Sequence, residues 1–148
     1  MNGGNNSKII KALAFEKAVQ EILKQDNPDL QENCYFSEDY IKQDKYISQH
    51  QYDAVVKNKL ILRSFGKESI YAERIVVEIK SARPMLEVLH RFVRRTENIF
   101  DAIVFILAIP KAKALETKIY SDKSKIYFIY EEDLVRNIEI RNVLYNLD

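Results

Sequence analysis

The stretch FDAIVFILA, residues 100–108, constrains this chain more than any other. Apart from Asp101 it carries no polar side chain. Successive strand residues point to opposite faces, so a run that is apolar at every position suits a central strand covered on both sides. Pro110 closes it. A strand of that kind needs helices on the faces of its sheet, and the sequence predicts them. In KIIKALAFEKAVQEILKQ, 8–25, apolar residues recur at 9, 12, 13, 15, 19, 22 and 23, near helical period. Ser7 is positioned to cap this helix, and DNPD at 26–29 ends it. PMLEVLHRFVRRTE, 84–97, is a second amphipathic helix. Its expected buried stripe is Met85, Leu86, Leu89, Phe92 and Val93, with Ser81 a cap and Pro84 in the first turn.

Three strands are expected between these helices. QYDAVVK, 51–57, and LILRSF, 60–65, would be joined by a tight turn at Asn58-Lys59. Gly66-Lys67 would break the second, and a third would run over about 72–80. Short turns imply an antiparallel meander, and the helix at 84–97 permits a crossover to a parallel neighbour at 100–108. Residues 30–50 predict only short irregular elements. Beyond Pro110 come a charged loop or short helix at 111–118, a strand at 125–130 and a helical C-terminal stretch. The fold class is α/β, a mixed central sheet flanked by helices.

A chain of 148 residues is read as a single domain, 1–148, with a core at 8–108, an additional strand and helix in 109–148 and a flexible tail at 1–7. The start, MNGGNNS, lacks the basic-then-apolar pattern of a signal peptide, and no apolar run reaches the length of a membrane span. With Cys34 the only cysteine, no intramolecular disulfide forms, and a reducing cytoplasm is the natural compartment. A formal net charge of +1 neither requires nor excludes a polyanionic partner, because local patches decide.

The chemistry-bearing feature is RIVVEIKSA, 74–82, in which Glu78 and Lys80 lie two apart on a strand that otherwise reads as core. Charges there are costly unless paired or coordinated. Asp53 lies in the strand YDAVV. If the two strands are neighbours, Asp53 and Glu78 converge, and paired carboxylates suit Mg²⁺ or Mn²⁺, which take oxygen ligands. Lys80 is suited to hold or deprotonate a water, or to offset developing negative charge. On the first helix, Glu16 falls within the apolar stripe beside Ala12, Leu13, Val19 and Leu23, where a carboxylate needs a partner.

Asp53 in YDAVV, followed by Glu78-Ile79-Lys80 in RIVVEIKSA and preceded by the helix LAFEKAVQEIL, resembles the PD-(D/E)XK nuclease superfamily, whose restriction-endonuclease-like core has the order αβββαβ. The resemblance covers roughly the first three quarters of the chain. It implies a metal-dependent nuclease acting on phosphodiester bonds, in DNA rather than RNA. Asp53 and Glu78, with the Ile79 backbone carbonyl, would hold Mg²⁺ or Mn²⁺. Lys80 would be the catalytic lysine, and Glu16 the helix acid. Tyr52 stands where the family often has proline. The helix after the lysine strand offers His90 where some branches carry glutamine. So small a domain suggests a homodimer to hold a duplex.

Each residue also has a plainer reading. E-x-K alone is a weak motif, and Glu116-Thr117-Lys118 repeats it without a preceding β run. Glu78 and Lys80 alone would make a structural ion pair, Asp53 would simply begin a strand near a turn, and Glu16 would pair with Lys80 or sit at the edge of the stripe beside Gln20. The alternative function is therefore a nuclease-like module without catalysis, serving nucleic-acid binding or protein assembly. On the helix at 84–97, Arg83, His90, Arg91, Arg94 and Arg95 form either a phosphate grip or an ordinary solvated face. Tyr35, Tyr40 and Tyr46 are read as packing before base stacking, His50 as a surface residue, and Cys34 as a small buried residue rather than a nucleophile.

Overall fold

The computed structural model describes residues 3–35 and 51–145. Helix α1 (Gly3–Asp26) leads into β1 (Gln31–Tyr35), β2 (Gln51–Leu60), β3 (Ile70–Lys80), α2 (Leu86–Thr96), β4 (Ala102–Leu107), α3 (Lys113–Lys118), β5 (Lys125–Ile129), α4 (Glu131–Leu134) and α5 (Ile138–Tyr145). The strands form one sheet in the order β1-β2-β3-β4-β5. The first three are antiparallel, and β3, β4 and β5 are parallel. The mixed sheet with flanking helices is thus present. Among the described residues no helix is long and apolar enough to cross a membrane.

Every residue of β4 is buried, as its unbroken apolar run requires. Ala102, Val104 and Ile106 join the core under α1 with Phe15, Val19, Ile22 and Leu23. Ile103, Phe105 and Leu107 join the core under α2 with Leu89, Phe92 and Val93. The sheet therefore separates two apolar layers, each closed by helices.

The antiparallel part departs from expectation in an instructive way. Asn58 does not make a turn. It adopts a left-handed φ of 72° inside one long strand, where the β2–β3 register slips between Lys57 and Asn58. That is a β-bulge, which asparagine tolerates because its side chain costs little there. The hairpin closes later, through a 3-10 turn at Arg63–Phe65 and Gly66 at φ 68°. The third antiparallel strand is β1, within a stretch expected to be irregular.

Helix α1 begins before Ser7, which lies inside it, and covers residues 3–7 of the expected tail. Its C-terminal end is held by the buried Asn27. The Asn27 Nδ2 donates to the Leu23 and Ile61 carbonyls at 2.9 and 3.0 Å, and its Oδ1 accepts the Ile61 N–H at 2.7 Å. Pro28 prevents continuation. Leu13 is 60% exposed, so the stripe of α1 turned to the sheet runs through Phe15, Val19, Ile22 and Leu23. On α2, Met85 is the N-cap and 68% exposed rather than buried. Leu89, Phe92 and Val93 are buried as expected.

Candidate active site

The β2–β3 ladder pairs Val56 with Ile75, Val55 with Val76 and Ala54 with Val77, and goes no further. One more step in this register sets Asp53 opposite Glu78. Directly opposed residues have Cβ atoms about 5 Å apart, so two carboxylates meet where the strands end their pairing. The Asp53 Oδ2 accepts the Ile79 N–H at 2.7 Å. Across the other edge of β3, the Lys80 carbonyl accepts the Ala108 N–H at 2.9 Å. Since neighbouring strand residues present their N–H and C=O to opposite edges, the Ile79 carbonyl also faces the β2 side, beside Asp53.

Tyr52 fixes the backbone at this point. It is fully buried on the α2 side, with its ring edge-on to Phe92 at 6.0 Å and to Phe100 at 5.3 Å. Burial pushes its phenol up to about 12. A large aromatic so held leaves Asp53 little freedom.

Glu78 is buried although charged, and the Lys80 Nζ lies 3.9 Å from its Oε2. Lys80 is more exposed, which allows its amine to reach the open side of the site. From α1, half-buried Glu16 completes the group. Burial is the main cause of its rise from 4.5 to about 7, followed by the charge of Asp53 and a hydrogen bond with it, while Lys80 opposes the rise. Asp53 rises from 3.8 to about 7, again chiefly through burial and then through its hydrogen bond with Glu78 and that residue's charge. The Ile79 N–H and Glu16 hold it lower than it would otherwise be.

Glu16, Asp53, Glu78 and Lys80 are therefore brought together from three elements. Two further residues support them and were not singled out from sequence. The buried Gln20, one helical turn beyond Glu16, donates through Nε2 to the Asp53 carbonyl at 2.8 Å and to the Asn33 Oδ1 at 2.9 Å. Asn33 sits at φ 50°, which interrupts β1 opposite Asp53. The i, i+4 spacing of Glu16 and Gln20 was the signal for the first.

The cations expected on α2 are dispersed. Arg91 is paired with Glu87 at 3.0 Å along the solvent face, and Arg94 is exposed. The Arg95 guanidinium lies 5.7 Å from the Phe92 ring centroid and acts on the Tyr52 phenol. His90 is half-buried, and Arg83 is exposed in the segment between β3 and α2. Cys34 is half-buried on β1, and burial raises its thiol, as suits an unreactive residue. Glu116-Thr117-Lys118 lies on the helix α3 and not on a strand. Tyr40, Tyr46, His50 and the Tyr35 side chain lie outside the described residues.

Among the described residues no three His, Cys, Asp or Glu side chains are grouped to hold a metal ion by themselves. What the site offers is carboxylate and carbonyl oxygen together with one amine. Comparison with family models, with curated proteins and with solved structures returned no match.

Proposed function

We propose that this protein is a metal-dependent nuclease that hydrolyses phosphodiester bonds in DNA, with its centre at Glu16, Asp53, Glu78 and Lys80. The observation that carries the reading is the convergence of these residues where β2 and β3 cease to pair, with Asp53 tied to the Ile79 N–H. The same residues carry the resemblance to the PD-(D/E)XK nucleases.

A divalent cation fits this donor set. Mg²⁺ and Mn²⁺ take hard oxygen ligands and keep several waters, so two carboxylates suffice. Asp53 lies against Glu78, and burial first, then its hydrogen bond with Glu78 and that residue's charge, lift it to about 7. A cation relieves that repulsion. Asp53, Glu78 and the Ile79 carbonyl would hold it, with Glu16 at its border. When bound, it supplies Lewis-acid stabilisation of the charge that gathers on the phosphorus centre. The protein's own groups do the remainder. Lys80 places a positive charge and proton donors beside the scissile phosphate and orients the attacking water. Glu16, beside Asp53 on the α1 side, is the carboxylate left to take a proton from that water. Tyr52 and Gln20 keep Asp53 in place.

Incubation of circular and linear DNA, single- and double-stranded, with Mg²⁺, Mn²⁺ or EDTA tests the proposal. Cutting in metal that is absent in EDTA and in Glu78→Ala is expected. No cutting by the wild type at high protein concentration sinks it.

The second reading is a nuclease-like scaffold without catalysis. Its support is that the cluster satisfies itself: Lys80 neutralises Glu78, and Asp53 is hydrogen-bonded to Glu16, Glu78 and Ile79. It predicts a protein that binds its partner unchanged by EDTA.

A further inference from the structure

Residues 81–86, which follow Lys80, form a ridge between two grooves. The first, of about 400 Å³, runs between α1 and α5 and reaches Ser81 and Ala82, with Lys8 and Lys11 on its α1 wall. Ala12 and Phe15 continue that wall to the residue before Glu16, and Ser81 follows Lys80 directly in the chain. The second, of about 470 Å³, lies between Arg83–Leu86 and α3, and carries Arg83 and Lys118. Each groove thus holds two cations. The ridge that separates them begins at the catalytic-lysine candidate and carries the exposed Met85.

The charges here differ in state from those on α2. Arg91 is already engaged by Glu87. Among the described residues no carboxylate forms an ion pair with Lys8, Lys11, Arg83 or Lys118. A phosphate approaching them displaces no ion-pair partner among the described residues. The geometry also meets a requirement of the site. The carboxylates of the site repel a polyanion, so cations must flank them if a phosphodiester is to reach them. An apolar Met85 between the cation pairs suits a base or sugar lying between two phosphates, which a free inorganic anion would not use.

We propose that these two grooves are the phosphate track of the protein: a DNA backbone crosses the ridge at residues 81–86, with Lys8 and Lys11 holding phosphates on one side of the scissile bond and Arg83 and Lys118 on the other. The inference rests on the nuclease reading for the nature of its ligand. It places the grip in these grooves instead of on the face bearing Arg91 and Arg94.

Anisotropy titration of a fluorescent DNA duplex in EDTA, over a series of salt concentrations, tests the track. Each neutralised phosphate contributes about 0.9 to the slope of log K against log salt on duplex DNA. Lys8→Ala with Lys11→Ala should lower the steepness by about 2 and weaken binding roughly tenfold or more, as should Arg83→Ala with Lys118→Ala. Wild-type slope and affinity in both double variants would overturn the proposal. So would a loss confined to Arg91→Ala with Arg94→Ala, or a wild type that does not bind. Cleavage in Mn²⁺, measured on the same proteins, separates the two readings. Steep binding carried by the four cations without cutting sinks the nuclease and keeps the track; cutting unaffected by either double variant does the reverse.

Discussion

Asp53→Asn should stabilise the metal-free protein in alkaline buffer. Burial, then the neighbouring Glu78, lifts Asp53 from 3.8 to about 7. A carboxyl raised in this way holds its proton more tightly in the folded chain than in the unfolded one. Below the unfolded value both states keep the proton, and the group has no effect on stability. As pH climbs towards 7 the unfolded chain releases its proton first, so the folded state loses stability, and above 7 the penalty is complete. A rise of about three pH units corresponds to roughly 4 kcal/mol, reduced by water on the open side of the site. Asparagine removes the penalty and keeps an oxygen for the Ile79 N–H, though a neutral acceptor there costs about 1 kcal/mol. The net expectation is a gain of roughly 2 kcal/mol near pH 8.5 and a slight loss near pH 4. Urea unfolding in EDTA at both pH values measures it. The same difference between variant and wild type at both values, or a variant less stable at the higher one, would refute the reasoning. Saturating Mg²⁺ should stabilise the wild type at the higher pH and leave Asp53→Asn unmoved, since a ligand stabilises only the state it binds.

Three other changes probe separate parts of the account. Lys80→Ala should abolish DNA cleavage, read on gels, while Mn²⁺ binding by calorimetry persists. Because the Lys80 charge holds Glu16 down, the Glu16 carboxyl should titrate at a higher pH in that variant by NMR. Gln20→Ala removes donors to Asn33 and to the Asp53 carbonyl in a buried place. It should cost about 2 kcal/mol by urea unfolding and slow cleavage with little change in DNA affinity. Phe105→Ala empties a fully buried position, stacked on Phe128 at 5.5 Å and edge-on to Phe92 at 5.6 Å. It should cost about 3–5 kcal/mol, read as a lowered thermal midpoint.

What could be read from sequence follows the strength of the local signal. The run at 102–107 is apolar at every position, and only a doubly covered strand accommodates that. Asp53, Glu78 and Lys80 were legible because charge inside a β run is costly and so conspicuous. Asn58 misled because its left-handed φ serves a bulge as well as a turn, and only the partner strand distinguishes the two. Residues 31–35, QENCY, carry no apolar alternation, since β1 is an edge strand held by its backbone pairing to β2. The i, i+4 spacing marks Gln20 as a neighbour of Glu16, but its hydrogen-bond partners depend on where β1 and β2 lie against α1, which no local pattern records.

At the centre of the account is the claim that Asp53 and Glu78 are crowded together to hold a divalent cation. Titration of Mn²⁺ into wild type, Asp53→Ala and Glu78→Ala, followed by the loss of the free-ion electron paramagnetic resonance signal, tests it most directly. Specific binding by the wild type, lost in both variants, is expected, with circular dichroism showing that each remains folded. Equal binding by all three proteins, or none by the wild type, would contradict it and leave the carboxylates as a self-paired structural cluster.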